Sequence, residues 1–249
     1  MCDYLVNGII YLTRLQKVVH CNNNLDFWER QTSSMSIFID TAIPAEAKIA
    51  KDFGWVKGIT TNPLLLSRAG KKAESVLAQL AELNMGKLFY QLISSNSKDM
   101  HKEARMAKEI AGDQLVLKIP PVAAGFQVVS SLSKEIPCCV TALYSVTQAL
   151  VAREAGAQYI AVYVNRATRL IGDGLALLNV MSKILHGSTT KILAASIKSS
   201  EEASGSLLYG ADHLTLPFNL LSTLCINEHS EEAVRQFSSG GTGIQIEVK

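Results

Sequence analysis

The chain has 249 residues, of which 48% are hydrophobic and 18% charged, so it has enough apolar side chains for a large core and is not intrinsically disordered. Its formal net charge of +2, without a long basic run, excludes a strongly basic nucleic-acid-binding protein. No apolar stretch reaches the roughly 18–20 residues that a membrane span needs. The five cysteines form no C-x-x-C pair, which favours reduced thiols and a cytoplasmic location.

The first part of the chain differs from the rest. Residues 1–34 hold short apolar clusters broken by polar runs, and Asp3 stands where a signal peptide would have basic residues. We predict that this segment is an extension, either a disordered arm or a stretch upstream of a functional start at Met35. The intact mass of the natively expressed protein distinguishes the two. Residues 35–237 are predicted to form one domain and residues 238–249 a C-terminal tail.

Beyond Met35, short β-rich segments alternate with longer amphipathic ones. Several of the short segments are continuously apolar, which is typical of parallel strands covered on both faces. Their ends recur about every 25 residues, as expected for repeated β-α units. The eight predicted strands are 36–40, 56–61, 88–93, 115–120, 137–143, 159–164, 191–196 and 213–217.

The segments between these strands have the periodicity and start signals of helices. The clearest apolar face consists of Met100, Ala104, Ala107 and Ala111. The charged residues between them, among them Glu103, are predicted to face solvent. Capping-box spacing at Ser145-x-x-Gln148 and Ser199-x-x-Glu202 predicts two further helix starts.

Eight β-α units in one chain predict a single-domain α/β protein with the (β/α)8 fold, a TIM barrel. A doubly wound open sheet is the alternative, but no G-x-G-x-x-G follows the first strand. In a barrel of this kind the carboxyl ends of the strands form the active face. Polar residues gather there, and the candidates in chain order are Asp40, Thr60, Asn62, Gln91, Lys118, Thr141, Tyr163, Arg166, Ser196 and Lys198.

Lys118 is the most informative candidate because it lies inside the apolar segment LVLKIP, where an ionised ammonium loses hydration. Such a lysine either pairs with a carboxylate, here Asp40, or gives up its proton. The neutral amine is a nucleophile that forms Schiff bases with carbonyl substrates. Asp40 either transfers protons on the substrate or accepts hydrogen bonds from the next loop. The pair therefore indicates either covalent catalysis or an ion pair that holds the barrel mouth.

The neutral candidates have alternative interpretations as well. Gln91, Thr141 and Tyr163 are predicted to point inward from three strands, where they either hold a proton-shuttling water or simply fill a barrel layer. Asn62 precedes Pro63 and is either a turn residue or a hydrogen-bond donor to substrate.

The remaining candidates, Arg166, Ser196 and Lys198, lie where barrels commonly bind phosphate, with solvated loop charges as the alternative. The five histidines have no ligand spacing, so no metal is predicted, and His213 is interpreted as structural. Cys138 and Cys139 are interpreted as core residues.

Seven segments together resemble the transaldolase family, most closely its small bacterial members, the fructose-6-phosphate aldolases. They run in order over roughly residues 36–237, and their combination is far more specific than any one of them. The segments are FIDTA (38–42), GITTNP (58–63), LKIP (117–120), TALYS (141–145), YVNR (163–166), LAAS-x-K (193–198) and LTLP (214–217).

The resemblance implies a class I aldolase without a cofactor, which reversibly cleaves fructose 6-phosphate to dihydroxyacetone and glyceraldehyde 3-phosphate. Lys118 is then the Schiff-base lysine. The implied catalytic partners are Asp40, Gln91, Thr141 and Tyr163, of which the last three position a water. The implied substrate-binding residues are Asn62, which with Asp40 contacts the dihydroxyacetone unit, and Thr60. Arg166 and Ser196 are implied to bind the phosphate, with Lys198 nearby.

Two positions separate the branches of this family. Its transaldolases usually have Glu in place of Gln91 and Phe in place of Tyr163, so these two residues favour the aldolase. A transaldolase that transfers a dihydroxyacetone unit between sugar phosphates is the first alternative, and a non-catalytic sugar-phosphate-binding barrel is the second. The resemblance also implies a homo-oligomer, a pentamer or decamer, with small-molecule partners and neither nucleic acid nor membrane.

Overall fold

The computed structural model describes residues 35–244, in which eight parallel strands form a closed barrel. Neighbouring strands pair in chain order, and the last returns to the first. The strands are β1 (Ser36–Asp40), β2 (Val56–Thr60), β3 (Lys87–Gln91), β4 (Leu115–Ile119), β5 (Cys138–Leu143), β6 (Tyr159–Tyr163), β7 (Lys191–Ala195) and β8 (His213–Leu216). The predicted (β/α)8 barrel is confirmed. The predictions for residues 1–34 lie outside the described residues.

Helices connect the strands around the outside of the barrel. They are α1 (Pro44–Asp52), α2 (Pro63–Arg68), α3 (Ala73–Glu82), α4 (Ser97–Ala111), α5 (Ala123–Leu132), α6 (Val146–Glu154), α7 (Val164–Ile171), α8 (Gly174–Ile184), α9 (Ser200–Leu208), α10 (Phe218–Leu221) and α11 (Glu228–Gly240). Helix α11 thus includes the first residues of the predicted tail. Within residues 35–244, no helix combines the length and apolarity needed to cross a membrane.

Both predicted helix caps form. The Ser145 hydroxyl accepts from the N–H of Gln148 at 3.3 Å, and the Ser199 hydroxyl accepts from the N–H of Glu202 at 3.2 Å. Because these contacts satisfy N–H groups that the first helical turn leaves without partners, they fix where α6 and α9 begin.

The apolar core has two layers, since the residues of each strand face the helices and the barrel interior in turn. The outer layer contains the predicted face of α4, and Met100, Ala104, Ala107 and Ala111 are all buried there. The interior holds a separate apolar cluster of Phe38, Phe89, Val116, Cys139, Ala161 and Leu193. This interior cluster fills the barrel directly below its mouth, which lies at the carboxyl ends of the strands.

Cys138 and Cys139 belong to the core, as predicted, and both are fully buried. Burial raises the pKa of each thiol to about 12. The thiols therefore stay protonated near neutral pH and are poor nucleophiles.

His213 is a structural residue at the amino-terminal end of β8. Its Nδ1 accepts from the N–H of Ser36 at 3.2 Å, and its ring packs edge-on against Phe38. Burial lowers the pKa of His213, which favours the neutral ring that this hydrogen bond requires. The residue thus joins β8 to β1, two strands that only barrel closure brings together.

Candidate active site

A polar layer lies next to the interior apolar cluster, on the side of the carboxyl ends of the strands. Two residues after each cluster member, the same strand presents its next inward-facing position. At one of these positions, on β7, the residue is Ala195. At the others the residues are Asp40, Gln91, Lys118, Thr141 and Tyr163. The structure thus brings the five predicted catalytic residues into the mouth of one barrel.

Lys118 is buried, with only 3% of its surface exposed. Its Nζ donates to the carbonyl oxygen of Thr61 at 2.8 Å. Within residues 35–244, no carboxylate lies at ion-pair distance from this amine, so the pairing with Asp40 that the sequence left open does not form. By contrast, Lys191 at the start of β7 pairs with Asp212 at 3.4 Å. Lys118 is thus held by a neutral acceptor, whereas Lys191 is held by a charged one.

Asp40 is held by a chain of two buried hydroxyl groups. Thr60 Oγ1 donates to Asp40 Oδ1 at 2.7 Å, and the hydroxyls of Thr60 and Thr215 lie 2.6 Å apart. Because the single proton of Thr60 goes to Asp40, Thr215 must donate to Thr60. Thr60 is fully buried, and its hydroxyl contacts both Asp40 and Thr215. Thr215 was not predicted, and its signal in the sequence is its inward-facing position in β8.

Thr141 and Tyr163 are in contact, with 3.1 Å between their hydroxyl oxygens. Gln91 lies beside Lys118 in the pairing of β3 with β4. Its Oε1 is buried and has no hydrogen-bond partner in the described part of the chain. A buried acceptor without a donor costs about 1–3 kcal/mol. The Gln91 oxygen is therefore suited to a donor from outside the protein, such as water or a substrate hydroxyl.

The prediction that Glu103 faces solvent is wrong. We expected it to face solvent, but it is half-buried and its carboxylate turns toward the end of β3. It accepts from the hydroxyl of Tyr90 at 2.9 Å and from the N–H groups of Ile93 and Ser94, each at 3.0 Å. These donors flank Gln91 on both sides, so Glu103 fixes the backbone that carries it. Helical periodicity predicts solvent here because it takes no account of donors on a neighbouring strand.

The turn interpretation of Asn62 is confirmed. Its Oδ1 accepts from the N–H groups of Leu64 and Leu65 at 3.0 and 3.1 Å and so caps α2. Its Nδ2 makes no hydrogen bond to residues 35–244. The oxygen thus orders the turn while the amide nitrogen keeps its donor capacity.

Arg166, Ser196 and Lys198 lie at the rim rather than inside the mouth. Arg166 and Lys198 are exposed, and neither forms an ion pair within residues 35–244. The guanidinium of Arg166 lies 5.0 Å from the centroid of the Tyr163 ring. Ser196 follows β7 with a φ of +58°, a left-handed conformation that is uncommon outside glycine. Two cations without acidic partners on neighbouring strand ends suit an anionic group.

The mouth therefore combines a buried amine, a fixed carboxylate and neutral hydrogen-bonding groups, with cations outside. This arrangement can form a Schiff base with a carbonyl compound and move protons around it. Within the described range, no group of three or more histidine, cysteine, aspartate or glutamate side chains is placed to hold a metal ion.

Comparison with known proteins identifies the family of the chain. Residues 37–244 match the family described as Transaldolase/Fructose-6-phosphate aldolase. The chain belongs to this family. The match includes every predicted site residue, from Asp40 on β1 to Lys198 after β7.

The curated relatives are named as probable transaldolases, after one of the two branches of the family. A probable transaldolase of Aquifex aeolicus is 36% identical over 193 residues, which cover 76% of this chain and 88% of that protein. A probable transaldolase of Lactiplantibacillus plantarum is 31% identical over 218 residues, which cover 86% of this chain and 100% of that protein.

Among solved structures, the chain resembles mandelate oxidase. A mutant of that enzyme with a monooxide FMN adduct superposes with a TM-score of 0.54 at 18% identity, covering 83% of this chain and 70% of the other. A second structure of the mutant enzyme gives a TM-score of 0.55 at 16% identity, with the same coverage of both chains. At such identities the likeness concerns the barrel fold alone.

The hydroxyl chain behind Asp40 is testable with Thr215→Val, which keeps the side-chain shape but removes the donor to Thr60. We expect the free energy of unfolding in urea to fall by about 1–2 kcal/mol. We also expect coupling of at least about 0.5 kcal/mol with Asp40→Asn in a double-mutant cycle, because Thr215 acts on Asp40 through Thr60.

Thr190→Val is the matched control, since this buried hydroxyl donates to the Ala157 carbonyl at 2.8 Å, away from Asp40. Its effect should add to that of Asp40→Asn. Simple additivity for Thr215→Val as well would contradict the chain.

Proposed function

We propose that the chain is a class I aldolase that reversibly cleaves fructose 6-phosphate to dihydroxyacetone and glyceraldehyde 3-phosphate. The observation that carries the proposal is the contact between the Tyr163 and Thr141 hydroxyls, in the same inward-facing layer as Lys118. It supplies a phenolic acid–base group in the same layer as the buried amine, two strands away. The unpartnered Gln91 oxygen supports a water in this layer, as the resemblance to the aldolase branch implies.

In the proposed cleavage, neutral Lys118 attacks the ketone carbon of fructose 6-phosphate, and loss of water gives an iminium ion. The hydrogen bond to the Thr61 carbonyl fixes the amine in the mouth before substrate arrives. Asp40, held through Thr60, assists the proton movements of carbinolamine formation and dehydration. Asn62 contributes its amide N–H to the dihydroxyacetone unit.

The carbon–carbon bond then breaks with the iminium as the electron sink. Tyr163, through a water held by Gln91 and Thr141, accepts the proton of the C4 hydroxyl as the C3–C4 bond cleaves. Glyceraldehyde 3-phosphate leaves from the side of Arg166 and Ser196. The remaining enamine takes up a proton, and hydrolysis of the iminium releases dihydroxyacetone and regenerates Lys118.

A transaldolase is the second candidate, and the names of the curated relatives favour it. Such an enzyme would pass the three-carbon unit to an aldose acceptor and release little dihydroxyacetone. A coupled assay with and without erythrose 4-phosphate separates the two. Dihydroxyacetone released without the acceptor supports the aldolase, whereas strict dependence on the acceptor supports the transaldolase.

We also propose a homo-oligomer in the cytoplasm. Helix α11 has no buried residue, and Val234 and Phe237 on it are 59% and 72% exposed, which supports a second copy as their cover. The cysteines Cys138, Cys139 and Cys225 are free, in agreement with a reducing compartment. Sedimentation velocity should therefore give a mass of five or ten chains, and a monomer would contradict the oligomer.

Borohydride reduction with dihydroxyacetone tests the covalent step. We expect a stable three-carbon adduct on Lys118, because only a Schiff base is trapped in this way. Peptide mass mapping locates the adduct, and Lys118→Met should abolish it. Lys191→Met is the control, since that lysine is ion-paired and should not affect labelling. Folded protein without an adduct at Lys118 would favour the non-catalytic sugar-phosphate-binding barrel.

Tyr163→Phe tests the proton transfer. We expect aldol cleavage to slow by about 10²–10⁴-fold, because the variant loses its acid–base group. Adduct formation with dihydroxyacetone should persist, since Lys118 is intact. Tyr144→Phe is the matched control, because this tyrosine touches the Tyr163 ring edge-on but makes no hydroxyl contact with Thr141. Cleavage at the wild-type rate in Tyr163→Phe would contradict the assignment.

A further inference from the structure

One carboxylate forms hydrogen bonds to both of the segments that follow β6 and β7 and carry the rim cations. Strands β6 and β7 pair with Tyr163 opposite Ala195, so Arg166 and the segment from Ser196 to Lys198 emerge side by side. Glu202, in the first turn of α9, reaches across this gap. Its Oε1 accepts from Nδ2 of Asn165 at 2.7 Å, and its Oε2 accepts from the backbone N–H of Lys198 at 2.7 Å.

Both carboxylate oxygens of Glu202 are thus bonded to N–H groups, one in the side chain of Asn165 at the start of α7 and one in the backbone of Lys198 after β7. Asn165 directly precedes Arg166, and Lys198 follows Ser196 by two residues, so the bridge ties together the two segments that carry the predicted phosphate ligands. The N–H of Glu202 itself donates to the Ser199 hydroxyl at 3.2 Å, which ties the bridge to the start of α9. Side-chain freedom of Glu202 is therefore small.

We propose that Glu202 is a positioning residue that sets the spacing between Arg166 and the Ser196–Lys198 segment and thereby the preference for phosphorylated substrates. This inference rests on the proposed function, because it concerns the phosphate end of the same site. Phosphate recognition needs donors and cations at defined separations, whereas the carbonyl end of the substrate is bound on other strands. The bridge acts on phosphate binding without touching Lys118.

A carboxylate is the group that this bridge requires. Asn165 Nδ2 and Lys198 N are both donors, so the bridging side chain must offer two acceptors. A glutamine offers one acceptor and one donor, so it keeps both contacts only if the Asn165 amide turns to present its Oδ1, and it loses the negative charge in either case. Glu202→Gln therefore removes the charge of the bridge while it keeps the size of the side chain.

The test compares phosphorylated with unphosphorylated substrates. For Glu202→Gln we expect KM for fructose 6-phosphate to rise about 5- to 20-fold, since both hydrogen bonds of the bridge lose their charge assistance, with kcat within about twofold. The reaction of dihydroxyacetone with unphosphorylated glyceraldehyde should keep its KM. Glu201→Gln is the matched control, because this neighbour on α9 is exposed and its contacts are with Ser199 and Ser200. An equal change for both substrate types, or none, would overturn the proposal.

A rescue variant separates positioning from general damage. When Asn165→Asp is combined with Glu202→Gln, the glutamine amide can donate to the introduced carboxylate, and its oxygen can accept from the N–H of Lys198. We expect KM for fructose 6-phosphate to return to within about threefold of wild type, while Asn165→Asp alone places two carboxylates face to face. A double variant no better than Glu202→Gln, with circular dichroism showing that it folds, would refute the bridge.

The failure of the proposed function has a different signature. It is the absence of fructose 6-phosphate turnover in the wild type, whereas the bridge fails if the wild type turns over and Glu202→Gln matches it. Calorimetric titration with inorganic phosphate measures the phosphate end without turnover. Weaker binding to Glu202→Gln than to wild type supports the bridge, and equal binding contradicts it.

Discussion

The burial of one amine without a carboxylate sets the conditions for the rest of the barrel mouth. The amine of Lys118 donates to the Thr61 carbonyl, and within residues 35–244 no carboxylate lies at ion-pair distance to offset its lost hydration. The groups at the neighbouring inward positions accordingly include the neutral side chains Gln91, Thr141 and Tyr163. The contact between the Thr141 and Tyr163 hydroxyls can orient protons without adding a formal charge to this layer. The cations Arg166 and Lys198 lie at the rim, where water screens their charge.

Most of the fold and much of the site follow from two periodicities. The alternation of strand residues places Asp40, Gln91 and Lys118 inside, because each lies two positions beyond an apolar interior residue. Helical spacing similarly finds the buried face of α4. Such patterns predict the face of an element on which a side chain lies. They contain no information on which donor or acceptor the neighbouring element supplies.

The residues that sequence reasoning missed depend on that second kind of information. Thr215 meets Thr60 across 155 positions of chain, and the contact exists only because the barrel closes. Glu103 lies at a helix position where the periodicity predicts solvent, yet the end of β3 and the residues after it bring four donor groups to its carboxylate. Asn62 shows a further limit of sequence reasoning. Its Oδ1 caps α2 while its Nδ2 makes no hydrogen bond within residues 35–244, and the sequence does not assign the two roles to different atoms.

The clamp that Glu103 forms on β3 holds Ile93 by its main-chain N–H, and Glu202 holds Lys198 in the same way. The side chains of these two residues play no part in the clamps. Natural variation at positions 93 and 198 can therefore alter the shape and charge around the mouth while the scaffold keeps its geometry. The two carboxylates thus separate what a position looks like from how its backbone is held, so the surface of the mouth and its framework can change independently.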